Sequence, residues 1–262
     1  MLPTPVRRSV RVAGFVGVTA AMAPVYAARD ALSSSRSRDA VRDRWLRRWS
    51  SAMLRLFAIE VALDGAPDRG SSAAPARGRL VVANHRSAID IGVLLRTFGG
   101  HMVSRADLSG WPVLGRAARS VGTVFVDRSS TVSGASAIRS IRNILSSKGT
   151  VLLFPEGTTF EGDVVRPFHP GSFIAALRTD ADIVPVGIAY ERGSGAAFIN
   201  ESFLSHLSRV AGAPGSRVVV RVGKPIHVEP GVRAAALATQ AHDAVQALVA
   251  EARAHVGADD VR

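Results

Sequence analysis

Residues 84 to 90, Asn-His-Arg-Ser-Ala-Ile-Asp, place an imidazole and a carboxylate five positions apart, just after an apolar run. A neutral imidazole can take a proton from a hydroxyl near neutral pH, because its ordinary pKa is about 6.5. It needs a fixed tautomer. An aspartate that accepts the proton-bearing nitrogen of His85 leaves the other nitrogen facing the substrate and stabilises the imidazolium formed during attack. The spacing suits a strand-to-helix turn in which Asp90 reaches back from the helix start. Two readings stay open from these residues alone: a base held by its acid, or a loop histidine beside a helix-capping carboxylate. Ser87 is the nearest hydroxyl, but it lacks the flanking glycines of a hydrolase nucleophile. Direct attack by a substrate hydroxyl is the economical chemistry. No further cluster of histidines or carboxylates completes a metal site around the pair.

Two other stretches carry candidate ligand-binding groups. Residues 122 to 128, GTVFVDR, end an expected strand on Asp127 and Arg128. The guanidinium fork of Arg128 suits two phosphate oxygens, or else a surface ion pair. Residues 152 to 162, LLFPEGTTFEG, run from a strand into Pro155, Glu156 and Gly157. There the backbone amides and the hydroxyls of Thr158 and Thr159 can face a ligand; the plainer alternative is an ordinary turn with a solvated Glu156.

These residues need elements to hold them. Short β-branched runs at 79–83, 101–104, 122–126, 150–154 and 183–190 alternate with helical patterns at 88–98, 112–120, 131–147 and 171–179. Such alternation predicts an α/β domain with a mostly parallel central sheet flanked by helices. Residues 216–226 predict a late strand and 231–255 a terminal helix. Ligands collect at the carboxyl ends of strands in such sheets, and Asn84–His85, Asp127–Arg128 and Pro155–Gly157 all follow strands.

The chain has 262 residues, 47% of them hydrophobic, which suffices for one well-buried domain. It contains no cysteine, so disulfides, thiolate metal sites and an enzyme thioester are excluded. Of the net charge of +12, residues 1–50 contribute ten Arg against three Asp. Basic charge beside an apolar segment fits an anionic membrane surface better than nucleic acid. Val12–Ala28 is an uncharged stretch of about 25 Å as a helix, marginal against a hydrocarbon thickness of about 30 Å. It is expected to be a retained anchor, with a cleaved signal or an interfacial helix as alternatives. Val41, Trp45, Trp49, Met53 and Phe57, interleaved with five arginines, predict a basic amphipathic helix. That helix either covers the core or lies in the membrane interface with its tryptophans at headgroup depth. The expected division is 1–66 for membrane association and 67–262 for the catalytic domain, with the loop at 67–78 between them.

Taken together, four blocks resemble the glycerophospholipid acyltransferase family, which includes the 1-acyl-glycerol-3-phosphate acyltransferases. They are NHRSAID, residues 84–90; GWPVLGRAARSVGTVFVDR, residues 110–128; FPEGTT, residues 154–159; and IVPVGI, residues 183–188. The resemblance implies transfer of a fatty acyl group from acyl-CoA or acyl carrier protein to the free hydroxyl of a lysolipid, without a cofactor. It implies His85 as base and Asp90 as its partner, with Asn84, Arg128, Glu156, Gly157 and Thr158 around the substrate and Trp111 and Pro112 shaping the second block. It also implies a catalytic domain on the cytoplasmic face of a membrane, held by the N-terminus. Two departures stand out: Thr159 occupies a place where the family commonly has arginine, and His169 one where many members carry lysine. Arg166 can return a positive charge from the following loop. A lyso-ornithine lipid therefore stands beside lysophosphatidic acid as an expected acceptor. A thioesterase and a non-catalytic lipid-binding protein are the competing readings.

Overall fold

The computed structural model describes residues 2–34, 37–65, 77–111, 114–127 and 129–258. The central strand, β2, spans Gly78–Ala83, and its alternation decides the layering. Leu80 and Val82 point to one face and Val81 and Ala83 to the other, all four fully buried. A strand buried on both faces belongs in the middle of a parallel sheet covered by helices on both sides.

Among the described residues, eight strands form that sheet: β1 (Ile59–Asp64), β2, β3 (His101–Arg105), β4 (Val124–Val126), β5 (Thr150–Leu153), β6 (Ala181–Tyr190), β7 (Ser216–Val222) and β8 (Ile226–His227). The order is β1-β7-β6-β2-β5-β3-β4, with β8 pairing β6. Strands β6, β2, β5, β3 and β4 run parallel, whereas β7 and β8 oppose β6 and β1 runs with β7. The carboxyl ends of five strands therefore meet at one edge.

Among the described residues, seven α-helices cover the sheet: α1 (Thr4–Ala31), α2 (Arg38–Leu56), α3 (Ile89–Phe98), α4 (Leu114–Ser120), α5 (Thr131–Ser146), α6 (Phe203–Gly212) and α7 (Ala234–Ala258). On one face Leu46, Leu54, Val93, Leu94, Phe98 and Val210 pack on Val81, Val186 and Val220. On the other, Ile141, Leu145, Leu237, Val245 and Val249 pack on Leu80, Val82 and Leu153. Each such side chain contributes about 1.5–3 kcal/mol by leaving water.

The expected helix at 171–179 does not form. Pro170–Phe173 is a 3-10 turn, and the bonds from Ala176 N to Phe173 O and from Thr179 N to Ala176 O keep three-residue spacing. Pro170 and Gly171 at its start disfavour a regular helix, while Phe173 is fully buried. The late strand 216–226 is divided at Gly223–Pro225, because proline cannot donate to the ladder. Strand β1 and helix α6 lie in stretches where no element was expected. Most of the 67–78 loop, residues 67–76, is outside the described residues.

Helix α1 has the length and apolarity to cross a membrane, yet one of its faces is docked on the domain. Arg7 and Arg11 donate to the carbonyls of Gly212 (2.9 Å) and Ala213 (2.6 Å), closing the carboxyl end of α6. Phe15 meets Trp49 and Phe57 edge-on, and Trp49 donates its indole N–H to Thr19 at 3.0 Å. Trp49 thus spends its polar handle inside the protein. In α2, Arg47 caps α3 through the carbonyls of Thr97 and Phe98, and Arg42 is buried against Asp39, Asp43 and His101, so part of the basic stripe is internal.

Candidate active site

The turn from β2 into α3 brings the imidazole and the carboxylate together. Asp90 sits in the first turn of α3, where the helix field favours an acid. Its Oδ2 accepts the backbone N–H groups of Arg86 (2.7 Å) and Ser87 (2.8 Å) and lies 2.9 Å from Nδ1 of His85. Its Oδ1 accepts the phenolic O–H of Tyr190 at 2.5 Å. Asp90 is fully buried. Since a carboxylate only accepts, Nδ1 carries the imidazole proton and Nε2 is the basic nitrogen. Phe154 stacks flat on the His85 ring at 3.9 Å and 7°, fixing its plane.

A second clamp holds the backbone of the same turn. Glu156 Oε1 accepts the His85 N–H at 2.7 Å and Nη1 of Arg86 at 2.8 Å, and Oε2 accepts the Arg166 N–H at 2.8 Å. Arg86 also donates to the carbonyls of Gly162 (2.6 Å) and Val164 (3.0 Å), tying down the loop after β5. Glu156 and Arg86 are both buried. Asn84 is enclosed as well, its amide spanning the N–H (2.8 Å) and C=O (2.9 Å) of Ile188 on β6. The polar atoms of Asn84 and Glu156, both expected around the substrate, are thereby engaged by protein, and neither side chain lines the cavity.

His85, Phe154, Gly157 and Thr158 line a cavity of about 670 Å³, closed elsewhere by Trp111 and Phe203. At Gly157 the backbone has φ +84°, a conformation that side chains resist. Thr159 lines the cavity but gives its hydroxyl to the Phe198 carbonyl at 2.5 Å. Arg166 is exposed, its guanidinium 5.0 Å from the Phe160 ring, and it does not line the cavity. Arg128 and Pro112 are outside the described residues. Among the described residues, Arg105 at the end of β3 is the arginine in the lining, beside Asp107 at 3.2 Å. Among them too, no group of three histidine or carboxylate side chains is arranged to hold a metal ion.

Sequence reasoning missed Tyr190, Arg86 and Arg105. Tyr190 and Arg105 each end a strand of the parallel set, so the carboxyl-edge rule that located His85 also applied to them. Arg86 carried no separate signal.

An imidazole facing a cavity at the carboxyl edge of an α/β sheet, backed by a buried carboxylate, is an arrangement suited to group transfer or hydrolysis. A family model described as Acyltransferase matches residues 68–189. The chain is 31% identical to the lyso-ornithine lipid O-acyltransferase of Pseudomonas aeruginosa over 91% of both chains. It is also 31% identical to the 1-acyl-sn-glycerol-3-phosphate acyltransferase of Neisseria gonorrhoeae, over 43% of this chain and 44% of that one. The fold matches the crystal structure of the 1-acyl-sn-glycerophosphate (LPA) acyltransferase PlsC from Thermotoga maritima with a TM-score of 0.68, at 21% identity, over 94% of this chain and 98% of that one. The protein belongs to the acyltransferase family. Its class of chemistry is therefore O-acyl transfer.

Proposed function

We propose that the protein transfers a fatty acyl group from an acyl thioester, acyl-CoA or acyl carrier protein, to the hydroxyl of a lysolipid at the cytoplasmic face of a membrane. Residues 67–262 form the catalytic domain and 1–66 the membrane-association region, which also lends β1 to the sheet. Nε2 of His85 takes the proton of the acceptor hydroxyl as its oxygen attacks the thioester carbonyl carbon. The tetrahedral intermediate collapses, the C–S bond breaks, and the imidazolium returns the proton to the departing thiolate. Asp90 holds the tautomer and stabilises the imidazolium. No cofactor is needed, since oxygen, acyl group and proton all come from the two substrates.

Glu156 and Arg86 hold the His85 backbone, and Asn84 fastens the end of β2 to β6. Gly157 and Thr158 face the acceptor, and Arg105, with Arg128 and Arg166 as further cations, attracts anionic parts of either substrate. For the acceptor, a lyso-ornithine lipid is favoured: Thr159 offers no cation to a phosphate, and the relative that aligns along 91% of the chain is named for that lipid. The observation that carries the proposal is the 2.9 Å contact between His85 and Asp90 beside the cavity.

The test incubates the protein in vesicles with labelled acyl thioester and either lyso-ornithine lipid or 1-acyl-glycerol-3-phosphate. Acylation of the former is expected, with a loss of about 10²- to 10⁴-fold in His85→Ala. Undiminished turnover by that variant would refute the base assignment. Free fatty acid as the main product would indicate hydrolysis instead.

A further inference from the structure

We propose that Tyr190 is a positioning residue of the reaction: its phenolic O–H fixes the Asp90 carboxylate and moderates that carboxylate's pull on the His85 proton. The inference rests on the His85–Asp90 reading above and goes beyond it to a residue 100 positions away in sequence.

The geometry distinguishes the two oxygens of Asp90. Oδ2 serves His85 and two backbone amides, whereas Oδ1 points into the sheet and takes the phenol at 2.5 Å. In a fully buried carboxylate, rotation that broke the phenol bond would strand a charged oxygen without water, so the phenol acts as a stop. Tyr190 is itself anchored. It is the last residue of β6, its ring is buried, and Arg253 of α7 donates to its carbonyl at 2.6 Å. Burial first and the Asp90 charge second push the phenol well above its ordinary acidity range, so it stays a donor throughout the physiological range.

Ionisable groups surround this chain on every side. The β2–α3 turn supplies Arg86, ion-paired with Glu156 from the loop after β5. Helix α6 supplies His206, 3.3 Å from the Ser87 hydroxyl and backed by Glu201 and Arg209. Helix α7 supplies Arg253, paired with Asp163. Burial lowers the His206 pKa, so that imidazole is neutral where His85 must act.

A hydrogen bond to the charged form of a carboxylate favours that form and spreads its charge. Removing the phenol concentrates negative charge on Asp90, which then stabilises the His85 imidazolium more strongly. The neutral base is therefore lost at a higher pH, and a carboxylate free to turn presents Oδ2 less often.

Tyr190→Phe keeps the ring and removes only the hydroxyl. With a retained near-UV circular dichroism spectrum, kcat should fall roughly tenfold with KM little changed. The acidic limb of kcat/KM should move up by about half a pH unit or more. Wild-type kcat and an unmoved limb would overturn the proposal; so would a lower kcat with an unmoved limb, which a packing defect also gives. Should this variant not fold, 3,5-difluorotyrosine at position 190 makes a stronger donor of nearly the same shape. The limb should then move to lower pH, and a limb that stays put would overturn the proposal. If His85→Ala is fully active, the underlying base assignment fails. If His85→Ala is inactive while Tyr190→Phe behaves as wild type, the Tyr190 assignment alone fails.

Discussion

Arg86 and Glu156 hold the backbone of the His85 turn while staying buried outside the cavity lining. The pair is buried and shares its hydrogen bonds between the His85 amide and the loop after β5. Removing one member leaves the other charge uncompensated, at a cost of about 3–5 kcal/mol. Arg86→Ala should lower the unfolding midpoint accordingly in a chemical denaturation curve; a shift within error would show that the clamp carries no stability. Two other side chains, the half-buried His101 and the buried His206, set a pH dependence. Burial, with nearby Arg42 adding, lowers the His101 pKa, and burial against the opposing Glu201 lowers that of His206. Both folded values lie below the ordinary 6.5, so the unfolded chain binds more protons as pH falls past it. Stability is full above that value and is lost as pH falls through the folded values. Denaturation at neutral and mildly acidic pH should show this loss, and His206→Gln should reduce it. At this scale the sequence revealed the local acid–base pair, though not the clamp that Arg86 makes from the same turn. His85 and Asp90 share one turn and were legible, while Tyr190 and Glu156 reach that turn from 100 and 70 residues away, distances that only the sheet closes.

Among the elements, β2, β5, β6 and α3 were legible because runs of buried β-branched residues and a helical period of apolar side chains leave few alternatives. Helix α6 was missed because it is short and its inward face, Phe203, Leu207 and Val210, includes the polar His206, which is nonetheless buried. Strand β1 was missed because only the partnership with β7 makes Ile59–Asp64 extended. At 171–179 a helical pattern of alanines was defeated by Pro170 and Gly171. At Gly187 the backbone of β6 comes close to α7: a Cβ there would lie 2.4 Å from the carbonyl carbon of Leu248. Gly187→Ala must therefore push α7 outward, and overpacking of this kind costs about 1–3 kcal/mol. The expected result is a lower thermal midpoint with the site chemistry otherwise intact. An unchanged midpoint would mean that the helix yields without strain.

For the molecule as a whole, the uncovered face of α1 carries Val6, Val10, Val16 and Val25, and the opposite face is fastened to α2 and α6. Deleting residues 1–34 should abolish vesicle flotation and expose Trp49 and Phe57, which intrinsic fluorescence would register as a shift to longer wavelength. Retained flotation would place the membrane contact on α2 instead. In the membrane-bound enzyme proposed above, the docking of α1 has a kinetic consequence. With Arg7, Arg11 and Phe15 all engaged, α1 and the catalytic fold move together, which holds the cavity's standoff from the lipid plane constant. The enzyme then meets its acceptor as a two-dimensional solute. Diluting the lysolipid with inert phospholipid, at constant bulk amount, should slow turnover in proportion to the fall in its mole fraction.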